Sequence, residues 1–133
     1  QNFKLFDVKI IMINKKKLKD YHFFLNPHAQ ILLEEYIKSQ QNKMWATSII
    51  LSLTIIDNII SDKNTLEHVD GLNLNKLQNS RDLSWLRFRR NKILHYEGPI
   101  EGFYKSLDSL KVIKSDVDRA DKVLNEFLSK LFG

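Results

Sequence analysis

Residues 87–98 read RFRRNKILHYEG, and three side chains in this stretch could act together on a phosphate ester. The guanidinium of Arg90 keeps its positive charge at any working pH and can bind an oxyanion. Asn91 can orient a neighbouring group through its amide, and His95 can take up or release a proton near neutral pH. Together these residue types indicate acid/base chemistry on an anionic substrate.

The three residues fall on one predicted helix, which we expect to run from residue 79 or 80 to Gly98-Pro99. At about 100° per residue, one arc of this helix collects apolar side chains and has Arg90 near its centre. The apolar residues of the arc are Leu83, Leu86, Ile93 and Leu94. A buried guanidinium needs a partner or a solvent-filled cleft, and Asp57, within the apolar run of an earlier helix, is the obvious partner.

Asn91 and His95 are four residues apart and share a second face of the helix, with His95 in its last turn. This face is polar and aromatic, since it also holds Ser84 and Phe88. Arg90 and His95 lie about 140° apart on an ideal helix, so they converge on one phosphate only if the helix distorts or a second subunit contributes. A mechanism in which Arg90 and His95 both act on one phosphate therefore favours a dimer.

The other predicted helices have to hold this one in place. The chain has 133 residues, 43% of them hydrophobic, which is enough for one domain with one core. We expect helices from Asn26 to about Gln40, from about Lys43 to Ser61, and from Ser115 onward. The polar stretch of residues 61–80 is interpreted as a loop with one short helical turn. These elements predict an all-α fold, a four-helix bundle with short connections.

The first 25 residues are set apart from this helical domain, which we expect to cover residues 26–133. Residues 3–24 fit two β-rich runs around the lysines at positions 15–19, so the pattern predicts a short β-hairpin or an irregular segment. The chain begins with Gln1 and not with methionine, which suggests that it is part of a longer protein.

The composition restricts the kinds of partner and site. The net charge is +5, from 21 Lys and Arg against 16 Asp and Glu, which favours an anionic partner. No cysteine occurs, so thiolate metal sites and a disulfide framework are excluded and a cytoplasmic location is expected. The longest apolar stretch, Ile49 to Ile60, is too short to span a membrane. Neither a metal-ligand spacing of Asp, Glu and His nor a phosphate-binding glycine loop is present, so no metal or cofactor is expected.

The hexapeptide from Arg90 to His95, RNKILH, resembles the R-x4-6-H motif of the HEPN superfamily. The polar residue directly after the arginine and the apolar pair before the histidine agree with that family. So does the position of the motif, late in the penultimate long helix of a small all-α domain. The resemblance covers about residues 26–132 and implies a HEPN-like four-helix bundle.

What the resemblance implies is a metal-independent endoribonuclease whose active site lies where two copies of the motif face each other in a homodimer. In such an enzyme His95 would be the general acid and base, and Arg90 would bind the phosphate and stabilise its charge. Asn91 would orient either Arg90 or His95. The side chains expected to bind RNA around this site are Arg87, Arg89, Lys92 and Tyr96. A toxin-antitoxin, phage-defence or RNA-processing context is expected, with an antitoxin or a larger parent chain as a further partner.

Two other interpretations stay open at this point. One is a catalytically inactive HEPN-like module that binds nucleic acid or a partner protein within a larger chain. The other is a helical dimerisation unit in which Arg90 forms an ion pair with Asp57 and has no catalytic role. The surroundings of Arg90 distinguish these interpretations from the enzyme.

Overall fold

A computed structural model describes residues 17–67, 69–104 and 106–133, with the backbone alone at Leu72. Within these residues every regular element is a helix, so the predicted all-α class is confirmed. In chain order they are a 3-10 helix (Leu18–Phe24), α1 (Pro27–Gln41), α2 (Trp45–Ser61), α3 (Lys63–Leu66), α4 (Gly71–Gln78), α5 (Arg81–Leu94) and α6 (Leu107–Phe132).

The long helices begin at side chains that bond to their first free backbone N–H groups. The Asn26 side chain accepts a hydrogen bond from the N–H of Ala29, and Pro27 occupies the first position of α1. At α5 the Ser80 hydroxyl accepts from the N–H of Leu83. The predicted helix starts at Asn26 and at residue 79 or 80 are confirmed, because a cap depends only on neighbours within one helical turn.

The four long helices α1, α2, α5 and α6 pack around one hydrophobic core, and α2 lies in the middle, in contact with the other three. Its central position explains why it is apolar on more than one face. The buried residues of α2 are Ser48, Ile49, Ser52, Leu53, Ile55, Ile56 and Ile59. Among the helices that the structure describes, none has both the length and the apolar content that crossing a membrane requires.

The last helix begins earlier than the sequence predicts. Ser106, whose hydroxyl accepts a hydrogen bond from the N–H of Ser109, caps α6, whereas the predicted cap Ser115 is exposed within the helix. Ser109 and Ile113 extend the buried face of α6 toward its start. The prediction was wrong because the first inward position of the helix is a serine, which an apolar pattern does not register.

The segment between α2 and α5 is also more ordered than the predicted loop. It contains two helices, α3 and α4, where one short turn was expected. Asp62 ends α2 and caps α3, accepting hydrogen bonds from the N–H groups of Asn64 and Thr65. The segment before α2 likewise differs, since Lys43 has a φ of 55° and α2 begins at Trp45.

Residues before α1 contribute to the same core. Leu18–Phe24 form a 3-10 helix, so the second run of the predicted β-hairpin is wrong, while the first run lies outside the described residues. Tyr21 and Leu25 are buried, four residues apart, and join the helical core.

Asp62 also ties the start of α1 to the end of α2. The Asn26 amide donates to Asp62 Oδ2 over 2.8 Å and to Asn58 Oδ1 over 2.9 Å. Hydrogen bonds from the Thr65 hydroxyl and from Asn26 hold the pKa of the Asp62 carboxyl below its usual range. The ionised form of Asp62 is therefore the one that the folded state favours.

Asp62→Ala should lower the melting temperature at pH 7, because α3 loses its cap and Asn26 loses a partner. Since the folded state depresses this pKa, the stabilisation is present above the ordinary carboxyl value of about 3.9 and is lost as the pH falls through the folded-state value. In thermal melts over a pH series, the difference from wild type should shrink below about pH 4. Glu35→Ala, at an exposed carboxylate of α1, is the control. A difference that stays constant into strong acid would show that the charge of Asp62 is irrelevant.

Candidate functional site at the end of helix α5

Helix α5 ends at Leu94, before the predicted Gly98-Pro99, and His95 follows it in an extended conformation with φ −115° and ψ 109°. The His95 N–H donates to the carbonyl of Asn91 over 3.0 Å, which closes the last helical turn. His95 is thus the first residue outside the helix. The predicted angle between Arg90 and His95 assumed a continuous helix, so helical periodicity does not fix the direction of the histidine ring.

The arginine in the buried face of α5 is Arg89 and not Arg90. Leu83, Leu86 and Arg89 are buried, whereas the Arg90 side chain is 22% exposed. Leu94, which the predicted arc included, is 51% exposed. Leu94 therefore does not belong to the buried face of α5, which holds Arg89 instead, and the predicted burial of Arg90 is wrong.

Arg89 lies where α5, the connection after it and α6 meet. Its Nε is 2.6 Å from Asp116 Oδ2, its guanidinium donates to the carbonyl of Glu101, and its Cζ lies 5.8 Å from the centre of the Phe103 ring. The Nε contact is an ion pair and not a hydrogen bond, because the carboxylate oxygen lies off the N–H direction. Arg89 therefore joins three parts of the fold, and its charge is neutralised inside the protein.

Gly102 makes room for this arginine. It has a φ of 91°, and a Cβ at this position would lie 3.0 Å from a terminal nitrogen of Arg89 and 3.3 Å from the Cβ of Ile113. Both the backbone conformation and the close approach require glycine. Gly102 was not predicted, because a glycine in a connection does not reveal from the sequence which side chain approaches it.

Arg90 and Arg87 share one carboxylate, Asp57 of α2. Arg87 Nη1 lies 2.9 Å from Asp57 Oδ1, and Arg90 Nη1 lies 3.5 Å from Asp57 Oδ2. The predicted pairing of Arg90 with Asp57 is therefore confirmed. The closer contact is nevertheless made by Arg87, which had been assigned only to RNA binding.

Asn91 connects this ion-pair cluster to the exposed face of α5. Its Oδ1 accepts a hydrogen bond from Arg90 Nε over 3.3 Å, and its own side chain is exposed. His95 is exposed as well, and Tyr96 is 84% exposed. Among the described residues, no hydrogen bond or ion pair joins the His95 ring to Arg90 or Asn91. Asn91 thus contacts Arg90 through its side chain and His95 through the backbone hydrogen bond that closes the last turn.

Lys92 lies on the flank of this surface. Its Nζ is 3.4 Å from a carboxylate oxygen of Glu97 and 5.6 Å from the centre of the exposed Phe88 ring. An exposed ion pair of this kind exchanges readily with other charged groups, since it contributes little free energy. Lys92 therefore remains accessible to an anionic ligand.

The described residues contain no group of three or more His, Asp or Glu side chains placed to hold a metal ion. Comparisons of the chain with protein-family models, with curated proteins and with solved structures found no match. Inference about function therefore rests on the residues and on their geometry.

The two arginines should respond differently to truncation. Arg89→Ala leaves the Asp116 carboxylate without its partner and removes the bond to Glu101, so it should lower the free energy of unfolding by about 3 kcal/mol. Arg90→Ala should cost about 1 kcal/mol or less, because Arg90 is partly exposed and Asp57 keeps Arg87. Urea unfolding measures both values, with Arg81→Ala, at an exposed position of α5, as the control. A larger loss for Arg90→Ala than for Arg89→Ala would contradict this assignment.

Proposed function

We propose that this domain is a metal-independent endoribonuclease of HEPN type, with Arg90, Asn91 and His95 as its catalytic residues. The observation that carries the proposal is the contact of the partly exposed Arg90 with Asn91, four residues before the exposed histidine that directly follows the same helix. An accessible cation, an amide that orients it and an accessible imidazole form a set that can act on a phosphodiester.

The proposed reaction is attack of a ribose 2′-hydroxyl on the adjacent phosphorus. His95 takes the proton of the 2′-hydroxyl as its oxygen bonds to phosphorus, and Arg90 stabilises the negative charge of the crowded phosphorane. The bond to the 5′-oxygen then breaks, and that oxygen takes up a proton from an acid, which is the second His95 of a dimer or the same imidazolium. The products are a 2′,3′-cyclic phosphate and a 5′-hydroxyl.

The proposed active enzyme is a homodimer in which the ends of the two α5 helices face each other. A two-fold axis there places Arg90 and His95 of both subunits around one cleft, so neither chain has to aim both groups at one phosphate. We propose that Arg87, Lys92 and Tyr96, which all reach the surface, bind the RNA. Arg89 does not belong to this set, because its side chain is buried against Asp116.

The proposed setting is a toxin-antitoxin, phage-defence or RNA-processing system in the cytoplasm, with an antitoxin or a larger parent chain as a further partner. A second candidate function is a catalytically inactive module that binds nucleic acid or a protein. The ion pair of Arg90 with Asp57 favours this alternative, since a neutralised arginine has less charge to offer to a transition state.

RNA cleavage should persist in excess EDTA, because the proposed chemistry uses only imidazole and guanidinium groups. The measurement is incubation of the purified protein with RNA, followed by analysis of the fragment ends, which should be 2′,3′-cyclic phosphate or 3′-phosphate. Loss of cleavage on chelation, with recovery on adding a divalent metal ion, would remove the proposed mechanism.

His95→Ala should lower the cleavage rate by about 10²–10⁴-fold, the usual contribution of one acid/base group. The side chain is exposed, so the melting temperature should change little. His28→Ala, at an exposed position of α1, is the matched control and should keep wild-type activity. A His95→Ala protein with unchanged activity would show that another residue is the acid or base.

A mixture of inactive Arg90→Ala and inactive His95→Ala chains should regain part of the activity, because some heterodimers keep one intact arginine and one intact histidine in the shared cleft. The activity of the mixture is compared with that of each variant alone, and sedimentation gives the oligomeric state. A monomer at micromolar concentration together with an inactive mixture would exclude the composite site.

A further inference from the structure

Asp57 occupies an unusual position for a carboxylate. It lies in the most apolar helix of the bundle, within the run Ile49 to Ile60, and its side chain is 35% exposed. Its two oxygens point to different partners, Oδ1 to Arg87 and Oδ2 to Arg90. The carboxylate therefore bridges the two arginines and does not serve one of them alone.

The two arginines stand on successive turns of one face of α5. They are three positions apart in the sequence, so their side chains emerge about 60° apart and can reach a common point. The exposed fractions of their side chains are 39% for Arg87 and 22% for Arg90. Both side chains are thus partly exposed to solvent while Asp57 holds one nitrogen of each guanidinium.

Each guanidinium keeps hydrogen-bond donors for another ligand. A guanidinium has five N–H donors. Among the described residues, Arg87 uses one nitrogen for Asp57, and Arg90 uses one for Asp57 and its Nε for Asn91. Two positive charges and one negative charge leave the cluster with a net charge of +1, opposite to that of a phosphodiester.

We propose that Arg87 and Arg90 form a single phosphate-binding site and that Asp57 is the positioning residue that holds the two guanidiniums together. The ligand is a phosphate group, bound by the remaining N–H donors of both arginines in the forked geometry that guanidiniums favour. The inference rests on the proposed function for its natural ligand, a phosphodiester of RNA. It extends that function by assigning Arg87 to the same phosphate as Arg90.

A different role for Asp57 makes the opposite prediction. If Asp57 only neutralised the arginines, its removal would free them and strengthen phosphate binding. If Asp57 positions them, its removal leaves two mobile side chains, and binding weakens in spite of the added positive charge. The sign of the change on Asp57→Asn therefore separates the two roles.

The test is a titration of wild-type protein and of Asp57→Asn with inorganic phosphate, followed by the NMR signals of the arginine Nε–H groups. In the wild type, the signals of Arg87 and Arg90 should shift together with one dissociation constant. Asp57→Asn should weaken that binding about tenfold, while Asp57→Glu, which keeps the carboxylate, restores part of it. Asp118→Asn makes the same charge change at an exposed carboxylate of α6 and should leave binding at the wild-type level or slightly tighter.

The inference is overturned if phosphate shifts only one of the two arginines, or if Asp57→Asn binds phosphate as tightly as Asp118→Asn. Melting curves of the variants confirm that the comparison is made on folded protein. Failure of the proposed function is recognised separately. If the wild-type protein binds phosphate through both arginines but cleaves no RNA, the phosphate site is supported and the ribonuclease proposal is refuted. If the protein cleaves RNA but phosphate does not bind to both arginines, the ribonuclease proposal is supported and the shared phosphate site is refuted.

Discussion

Ion pairs that neutralise the arginines of α5 tie this helix to both of its neighbours, α2 and α6. Arg87, Arg89 and Arg90 fall within about one turn of a helix that packs against α2 and α6. An unpaired guanidinium would cost several kcal/mol where it is buried, as at Arg89, and less at the partly exposed Arg87 and Arg90. Two carboxylates meet this need, Asp57 from α2 and Asp116 from α6. The charged side chains therefore help to determine how α5 lies between its neighbours.

The two carboxylates leave the arginines in different states. Asp116 holds Arg89 in a buried position, where Arg89 also bonds to Glu101 in the connection between α5 and α6. The charge of Arg89 therefore stabilises the fold and does not face a ligand. Asp57 holds Arg87 and Arg90 at the surface, where solvent and ligands reach them. The same interaction, an ion pair between a helix arginine and a carboxylate of a neighbouring helix, thus serves stability in one place and a candidate binding site in the other. Burial decides between these outcomes, because it determines whether the remaining donors can meet a ligand.

Local features of this fold could be predicted from the sequence, while features that depend on packing could not. The cap at Asn26 was predictable because it involves only the next helical turn. The pairing of Asp57 with Arg90 was predictable because a charge within an apolar run needs a partner. The assignment of the buried arginine failed, since the buried face of α5 is shifted from Leu94 toward Arg89 relative to the predicted arc. That shift follows from how α5 rotates against α2 and α6, which no single helix encodes.

If the surface around Arg90 and His95 directs a 2′-hydroxyl at the neighbouring phosphorus, cleavage depends on that hydroxyl, and changing that hydroxyl alone should abolish it. Two oligonucleotides of one sequence, one of RNA and one with every 2′-hydroxyl methylated, carry the same backbone charge and differ in the attacking group. The account predicts that both bind and that only the RNA is cleaved. Cleavage of the methylated strand at a comparable rate would contradict it, because the bond would then be broken by an external nucleophile.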